Sequence, residues 1–387
     1  MLKTIFSYLF AVFQVLQILS GGGFGALPED NGIIDVTFDF MNGKEAYTFQ
    51  VESGDLITPP ESPENRGLIF DGWYHGKEKW NFSKNKVTED ITLTAKWKFS
   101  DSFYKNDPNA SKRAKDSNLR IMSFNILASD WSNKPAVKGR DDKVRNVISR
   151  YKPDVIGMQE VNAEWYESLT NEFSTYKFVN EDKNKIFFEV NYSTIAYNTE
   201  TVNLVKWGQS PYMVNYNKNC RNFMWAMFEF KNEPEKRFIV TSTHFDLTSD
   251  RRVYQALEMS GLLRFVETIF DLPIYCTGDF NMREGTQEYY TFMEMTSLKS
   301  AKYASEKKGL VAATTHLGDG TGSEGDYKSG YYKLGKVSYR QDKINTVKTI
   351  DHIFVPESTR VLYYDTIVDE TALEASDHCP IYADIVV

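Results

Sequence analysis

Cysteine, positive charge and long apolar runs are all scarce in this chain, and each shortage excludes a class of protein. Three cysteines in 387 residues cannot supply a disulfide framework, so stability must come from hydrophobic cores. A net charge of −8 argues against a protein that grips polyanions through a broad basic face. Nothing after residue 26 is apolar enough to cross a bilayer. The rest of the composition is that of an ordinary globular protein, and the chain is long enough for two or three domains.

The N-terminus carries a short apolar run. Residues 1–26 open with Lys3, continue through the apolar stretch Ile5–Leu19 and end in small residues. This pattern is typical of a secretory signal peptide and predicts a secreted or cell-surface protein; an uncleaved signal anchor is the alternative.

Residues 33–98 have the spacing of a small β-domain, with short runs of strand formers between turn residues such as Asn42-Gly43. The order Phe70–Tyr74, then Val87–Asp90, then Leu93–Trp97 resembles the internalin-type β-grasp repeat of secreted and surface proteins. This resemblance implies a spacer or adhesive module with a surface, carbohydrate or protein ligand, and it implies no chemistry.

The polar segment 99–118 lacks periodicity and is predicted to be a linker. Its basic run Lys112–Lys115 is interpreted as a solvated hinge rather than a nucleic-acid patch. From residue 119 to residue 387, strand and helix patterns alternate around a β-rich centre, with helices expected at 138–152, 163–173 and about 251–270. The predicted fold is an α/β (α+β) four-layer sandwich of two packed mixed β-sheets flanked by helices.

Polar residues stand at the ends of short apolar runs throughout residues 119–387, which is how buried strands deliver side chains to the rim of a sheet. They are Asn125, Glu160, His244, Asp279, Asn281, Asp351, Asp377 and His378. We expect these eight side chains to converge.

The motifs around these residues resemble, in order, those of the endonuclease/exonuclease/phosphatase superfamily. They are Leu119–Leu127, Pro153–Val161, Ser242–Asp246, Gly278–Asn281, Ile350–Val355 and Ser376–Pro380. The superfamily contains deoxyribonucleases, abasic-site endonucleases, neutral sphingomyelinases, inositol phosphatases and deadenylases. The resemblance therefore implies a metal-dependent hydrolase of phosphoric esters.

By that resemblance Glu160 is the principal ligand of Mg²⁺ or Mn²⁺, assisted by Asn125 and Asp377. Oxygen ligands of this kind suit a hard cation that keeps several waters, and they do not suit zinc. Asp279 and Asn281 are implied to orient or deprotonate the attacking water, or to complete a second metal position.

Three histidines are interpreted from their neighbours. Asp351 is implied to pair with His378, which would bind or protonate a phosphate oxygen. His244 is implied to donate to the transition state from the opposite side. Relatives often carry an acid before the strand at residues 195–197, whereas this chain has Asn191 there, so the orientation of His244 stays open. His352 is predicted to be structural because strand alternation points it to the other face.

Arg140 and Arg221 resemble basic positions that relatives use near the phosphate, and a guanidinium fork suits phosphate oxygens. A surface ion pair is the equal alternative for both arginines.

The sequence thus predicts a secreted, monomeric phosphoesterase that hydrolyses a phosphodiester such as nucleic acid. A sphingomyelinase-like phospholipase C or a small phosphate-ester phosphatase is the alternative among enzymes. The contrasting class is an adhesion protein with an inert catalytic domain. Clustered buried carboxylates are costly, and an inert domain has no physical reason to keep them.

Overall fold

The computed structural model describes residues 32–41, 45–64, 68–99, 105–129, 136–180, 193–215, 221–311, 314–315 and 349–387. The predicted signal peptide at 1–26 and Asn191 lie outside the described residues. Within the described ranges, no helix combines the length and apolarity needed to span a membrane.

The N-terminal unit is a five-stranded sheet. Its strands are β1 (Ile33–Asp39), β2 (Tyr47–Glu52), β3 (Leu68–His75), β4 (Glu78–Lys79) and β5 (Ile91–Phe99). They are arranged in the order β2-β1-β5-β3-β4, and β1 and β5 run parallel. Phe38, Trp73 and Trp97 are buried in a core of their own. The β-rich N-terminal domain predicted from the sequence is confirmed.

The region from residue 119 contains two further sheets and the helices that cover them. The strands are β6 (Leu119–Asn125), β7 (Val155–Gln159), β8 (Tyr176–Phe178), β9 (Ser193–Asn198), β10 (Val202–Pro211), β11 (Asn222–Phe230), β12 (Arg237–His244), β13 (Ile274–Asp279), β14 (Leu298–Ser300), β15 (Ser305–Lys308), β16 (Asp351–Pro356), β17 (Arg360–Thr366) and β18 (Ile381–Val386). The helices are α1 (Asp141–Tyr151), α2 (Ala163–Glu172), α3 (Ser249–Phe270), α4 (Gln287–Met295), α5 (Ala301–Ala304) and α6 (Glu370–Ala375), with a short 3₁₀ helix at Met213–Asn215.

One sheet has seven strands in the order β15-β17-β18-β6-β7-β9-β8, and the other has six in the order β10-β11-β12-β13-β16-β14. Both sheets mix parallel and antiparallel pairs. The predicted architecture of two mixed sheets with flanking helices is confirmed. Helix α1 shows why the sequence pattern was informative, since its apolar residues at helical spacing are buried. These are Val144, Val147, Ile148 and Tyr151.

The second half of the predicted linker packs against this domain. Arg113 donates to both carboxylate oxygens of the buried Asp154, at 2.6 and 2.7 Å. The backbone N–H of Ala114 donates to the buried Asp384 at 2.8 Å, and Ala110 is itself buried. The interpretation of Arg113 as part of a solvated hinge is therefore wrong, because its charge is taken up by a carboxylate of the domain.

Strand directions bring six strand ends to one edge of the sandwich. β6 and β7 run parallel, as do β12 and β13, so the C-terminal ends within each pair lie together. β18 is antiparallel to β6 and β16 is antiparallel to β13, so the N-terminal ends of β18 and β16 reach the same edge. In this register Asp279 lies beside His244 on one side and Asp351 on the other.

Gly157 permits the close approach of the two sheets beneath that edge. A Cβ atom on Gly157 would lie 1.8 Å from Oγ1 and 2.9 Å from Cβ of Thr277. Thr277 cannot easily move away, because its buried hydroxyl donates to the carbonyl of Thr241 at 2.6 Å. Gly157→Ala is expected to destabilise the protein by about 2 kcal/mol or more, as overpacked cores do.

Thermal unfolding of the variant should show a midpoint lower by roughly 5 °C for a domain of this size. Gly261→Ala is the matched control, because a Cβ there meets no atom within 4 Å and the residue is helical. Alanine should leave stability unchanged or raise it at that helix position. An unaltered midpoint for Gly157→Ala would show that the sheets are not held at this distance.

Candidate active site

Asp279, the last residue of β13, lies at the centre of the converging polar groups and is buried. Its Oδ2 lies 3.1 Å from Nδ2 of Asn125 and 3.1 Å from Nε2 of His244. Nε2 of His378 is 3.7 Å from the same oxygen. The other carboxylate oxygen, Oδ1, accepts a hydrogen bond from the backbone N–H of Asn281 at 2.9 Å. Groups far apart in the chain thus meet on one carboxylate.

The environment of Asp279 favours its ionised form. Burial by itself would raise the pKa of this carboxyl, but the charges of His244 and His378 and the hydrogen bonds from His244 and the Asn281 backbone lower the pKa below its ordinary value. Asp279 is therefore a carboxylate at neutral pH.

His378 and Asp351 form a buried pair beside Asp279. Nδ1 of His378 lies 2.9 Å from Oδ2 of Asp351. Burial would lower the pKa of His378, but Asp351 and Asp279 raise it well above its usual range. Burial and the charge of Asp279 raise the pKa of Asp351 to about 6, against the opposing effect of His378. The imidazole is thereby kept protonated, with its Nε2–H on the side of Asp279.

His244 differs from His378 in both charge and partners. Burial and the nearby charge of Arg221 lower the pKa of His244, against the opposing effect of Asp279. Its Nε2 faces Asp279, and its buried Nδ1 has no hydrogen-bond partner among the residues that the structure describes. Asn191, on which the sequence question about His244 depended, lies outside the described residues, so the part of the chain that the structure describes gives only the contact of Nε2 with Asp279.

Glu160 and Asn125, two of the three residues predicted to bind a metal, lie together next to Asp279. Oε2 of Glu160 accepts from the backbone N–H of Ala128 at 2.9 Å, and Oε1 is 3.4 Å from Nδ2 of Asn125. The Ser376 hydroxyl donates to the carbonyl of Asn125 at 2.7 Å, which places the adjoining Asp377 against the same strand end. Glu160 also has a left-handed backbone with φ 62°, a strained conformation of the kind found at functional sites.

This donor set fits a hard divalent cation. Glu160 and Asp377 are acids that provide oxygen ligands only, which suits Mg²⁺ or Mn²⁺. Nδ2 of Asn125 faces the carboxylates of Glu160 and Asp279. To bind a cation there, the Asn125 amide would be flipped so that its Oδ1 faces these carboxylates. Among the described His, Cys, Asp and Glu residues, the group whose ligand atoms lie within 4.8 Å of one another is a second one, formed by Asp279, Asp351 and His378. Because Asp351 and His378 are hydrogen-bonded to each other, that second group is better suited to proton transfer than to metal binding.

Arg221 is almost fully buried, and its Nε and Nη1 have no hydrogen-bond partner within the described part of the chain. Burial lowers the pKa of this guanidinium, whereas the charges of Glu160, Asp279 and Asp246 oppose the shift. The alternative of a surface ion pair is therefore wrong for Arg221. Two buried N–H donors without partners among the described residues are chemically able to bind an anion.

Arg140 is also buried, but its donors are occupied. The guanidinium donates to four backbone carbonyls at 2.8 to 3.0 Å: those of Ile126, Leu127, Ala136 and Ala375. These bonds tie the loop after β6 to the segments around it. The contacts favour a structural role for Arg140 over the substrate contact suggested by the sequence, because little of the guanidinium remains for a ligand.

Asn281 and His352 both hold the turn that follows β13 in place. Nδ2 of Asn281 donates to the carbonyl of Phe245 at 3.0 Å, which joins the turn after β13 to the loop after His244. Nε2 of His352 lies 2.9 Å from the carbonyl of Met282. The predicted structural role of His352 agrees with this contact.

Three residues that support the site were not singled out from the sequence. Gln159 donates to the hydroxyl of Ser242 at 3.1 Å and so links the two sheets below the site. Ser376 accepts from the backbone N–H of His378 at 3.2 Å. Thr314 accepts from the backbone N–H groups of both Ile350 and Asp351. Gln159 and Ser376 adjoin predicted site residues, whereas Thr314 carries no signal in the sequence.

Two family models match this chain. A model described as the Endonuclease/Exonuclease/phosphatase family matches residues 122–378, and one described as the Listeria-Bacteroides repeat domain matches residues 35–96. Two Evansella cellulosilytica proteins named as membrane proteins are each 35% identical over 72 residues, or 18% of this chain. The chain spans only 8% and 11% of the length of these curated relatives.

Solved structures share the fold of the larger domain. A mannosyl-6-phosphatase of Bacteroides thetaiotaomicron has a TM-score of 0.56 and 20% identity, covering 70% of this chain and 100% of its own. An endonuclease/exonuclease/phosphatase of Bacteroides vulgatus has a TM-score of 0.56 and 22% identity, covering 70% and 98%. A conserved protein of unknown function from Enterococcus faecalis has a TM-score of 0.55 and 16% identity, covering 69% and 99%.

Proposed function

Because this chain belongs to the Endonuclease/Exonuclease/phosphatase family, whose members hydrolyse phosphoester bonds, we propose that it is a secreted, Mg²⁺- or Mn²⁺-dependent phosphoesterase acting on the phosphodiesters of nucleic acid. The observation that carries the proposal is the position of Asp279, whose carboxylate lies between His244, Asn125 and His378. The ionised carboxylate lies between a neutral imidazole, that of His244, and a protonated one, that of His378. Such a set can accept a proton on one side of a phosphoryl group and donate a proton on the other.

Each group has a part in this proposal. Glu160, Asp377 and Asn125 would hold the cation, which supplies positive charge against the non-bridging phosphate oxygens. Asp279 would orient or deprotonate the attacking water, with the N–H of Asn281 fixing the direction of its carboxylate.

The two histidines and Arg221 would meet the phosphoryl group itself. His378, held cationic by Asp351, would donate its proton to a phosphate or leaving oxygen. Arg221 would donate to the phosphoryl oxygens from the opposite side, and the neutral His244 would do so through its one N–H, on the Nε2 atom that faces Asp279. Such donors act strongly here because they are buried and already in place.

A small phosphate-ester phosphatase is the second candidate. The net charge of −8 is unhelpful to a protein that must attract a long polyanion. The fold likeness to a mannosyl-6-phosphatase extends over that whole chain. Fold alone does not decide a substrate, so the two candidates must be separated by assay.

The test is a substrate panel on the purified mature chain with Mg²⁺, Mn²⁺ or a chelator. It should contain single- and double-stranded DNA, RNA, sphingomyelin, phosphoinositides and sugar phosphates. Release of nucleotides or nicked DNA supports the nuclease, and release of inorganic phosphate from sugar phosphates supports the second candidate. Hydrolysis of sphingomyelin alone would overturn both. No turnover on any member would favour an adhesive protein with an inert domain.

Arg221 provides a prediction in which activity and stability move in opposite directions. Arg221→Met should lower kcat/KM by about a hundredfold, because a charge-assisted contact to the phosphoryl group is lost. The same change removes a buried cation with unpartnered donors, so the unfolding midpoint should stay constant or rise. Steady-state kinetics and thermal unfolding on the same preparation measure both effects.

Arg140→Met is the matched control for Arg221→Met. It removes an equally buried guanidinium, but one that satisfies four carbonyls, so it should lower the unfolding midpoint markedly. Full activity of Arg221→Met, or a loss of stability as large as that of the control, would rule out a substrate role for Arg221.

A further inference from the structure

Thr314 and Thr315 cross the edge of the sandwich at the pair Asp351–His378. Asp351 begins β16 of the six-stranded sheet, while His378 stands just before β18 of the seven-stranded sheet. The pair therefore joins two sheets, and its 2.9 Å contact depends on how those sheets are held relative to each other at this point.

The buried hydroxyl of Thr314 is bound to the Asp351 side. Its Oγ1 accepts from the backbone N–H groups of Ile350 and Asp351, both at 3.1 Å. Burial raises the pKa of the Asp351 carboxyl, and a hydrogen bond from Thr314 to that carboxylate lowers it. A hydroxyl has one hydrogen and two lone pairs, so these three contacts use its full capacity.

The backbone of the same two residues is bound to the His378 side. The carbonyl of Thr314 accepts from the N–H of Cys379 at 2.8 Å, and Thr315 forms an antiparallel bridge with His378. The hydroxyl of Thr315 donates to the carbonyl of Asp377 at 3.3 Å. Thr314 is therefore hydrogen-bonded to the segments that carry both members of the pair.

We infer that Thr314 is a positioning residue that sets the distance and orientation of the Asp351–His378 pair by tying the two sheets together at that pair. The inference rests on the proposed function insofar as it concerns catalysis. Its physical basis is that a displacement of about 1 Å in a catalytic group can cost about a hundredfold in rate. The hydroxyl is the part of Thr314 that holds Asp351, so the inference concerns the hydroxyl rather than the bulk of the side chain.

Thr314→Val keeps the shape of the side chain and removes the hydroxyl, whereas Thr314→Ser keeps the hydroxyl. We expect Thr314→Val to lower kcat at least about tenfold with KM changed by less than about twofold. Thr314→Ser should retain kcat within about threefold. Thr194→Val is the matched control: it removes another buried hydroxyl, bonded to Oδ1 of Asn180 at 3.0 Å, without touching the pair.

A structural measurement separates this inference from the proposed function. The His378 Nδ1–H bonded to Asp351 should give a low-field proton resonance, assigned by its disappearance in Asp351→Asn. We expect that resonance in the wild-type protein and in Thr314→Ser, and its shift or loss in Thr314→Val. If the wild-type protein hydrolyses none of the panel substrates, the proposed function fails while the resonance still tests Thr314. Unchanged kcat and an unchanged resonance in Thr314→Val, or equal losses in the valine and serine variants, would overturn the inference.

Discussion

Asp279→Asn is expected to lower kcat by about a thousandfold, the size of a general acid–base contribution, while the protein remains folded. Asparagine has the shape of aspartate but no charge, so the water loses the base that would take its proton. His244 and His378 lose the carboxylate that lies 3.1 and 3.7 Å from their Nε2 atoms. Because Asp279 contributes to raising the pKa of His378, the variant also weakens the cationic acid on the other side of the phosphoryl group.

The measurement is kcat on the best panel substrate, with circular dichroism and thermal unfolding as checks on the fold. Asp369→Asn is the matched control, since Asp369 is fully buried, accepts from Ala372 N–H at the start of α6 and pairs with Arg150. Asparagine is an equally good residue at a helix N-terminus, so activity should be retained. A loss of less than about tenfold in Asp279→Asn would remove Asp279 from the chemistry.

Removal of divalent cations is expected to abolish turnover, and Mg²⁺ or Mn²⁺ should restore it. Oxygen ligands on Glu160, Asn125 and Asp377 favour these cations over zinc. Cation binding to the folded state should also stabilise it by about 2.7 kcal/mol at a concentration a hundred times the Kd. That free energy corresponds to a rise of roughly 5 to 10 °C in the unfolding midpoint.

Glu160→Gln tests the assignment of the principal ligand. It should lose most of the cation-dependent rise in midpoint and require far more Mg²⁺ for any turnover, because one negative charge is gone from the ligand set. Glu306→Gln is the control, since Glu306 lies on the surface and pairs with Arg360. Turnover indifferent to chelators, or a normal Mg²⁺ requirement in Glu160→Gln, would contradict the metal assignment.

The helices and most strands of the larger domain could be predicted because their cause is local. Apolar residues at helical spacing marked α1, and apolar runs marked β7 and β13. Strand β17 carries no comparable local signal. Its run Arg360–Thr366 carries charge near both ends and two tyrosines, and it becomes a strand through pairing with β18 and β15. Pairing of that kind depends on distant residues, so the local pattern does not reveal it.

The polar residues of the candidate site were found because each stands at or beside a strand end that strand direction brings to one edge. Their mutual arrangement was not available from the sequence. No local pattern places Asp279 within 3.1 Å of both His244 and Asn125. The distance between Asp279 and Asn125 depends on two sheets approaching each other over Gly157, a contact between residues far apart in the chain.

The amino-acid sequence alone determined most of the helices and strands, the family that the larger domain resembles and the polar residues that reach the rim. Only the tertiary structure separated Arg221 from Arg140, two arginines with equal claims from sequence. Carbonyls of Ile126, Leu127 and Ala375 and of the nearby Ala136 surround Arg140, while two donors of Arg221 are buried without partners in the described part of the chain. The physical reason is that residue type sets which groups a side chain can bind. The packing of other segments around it decides which of its donors are already occupied by the protein itself.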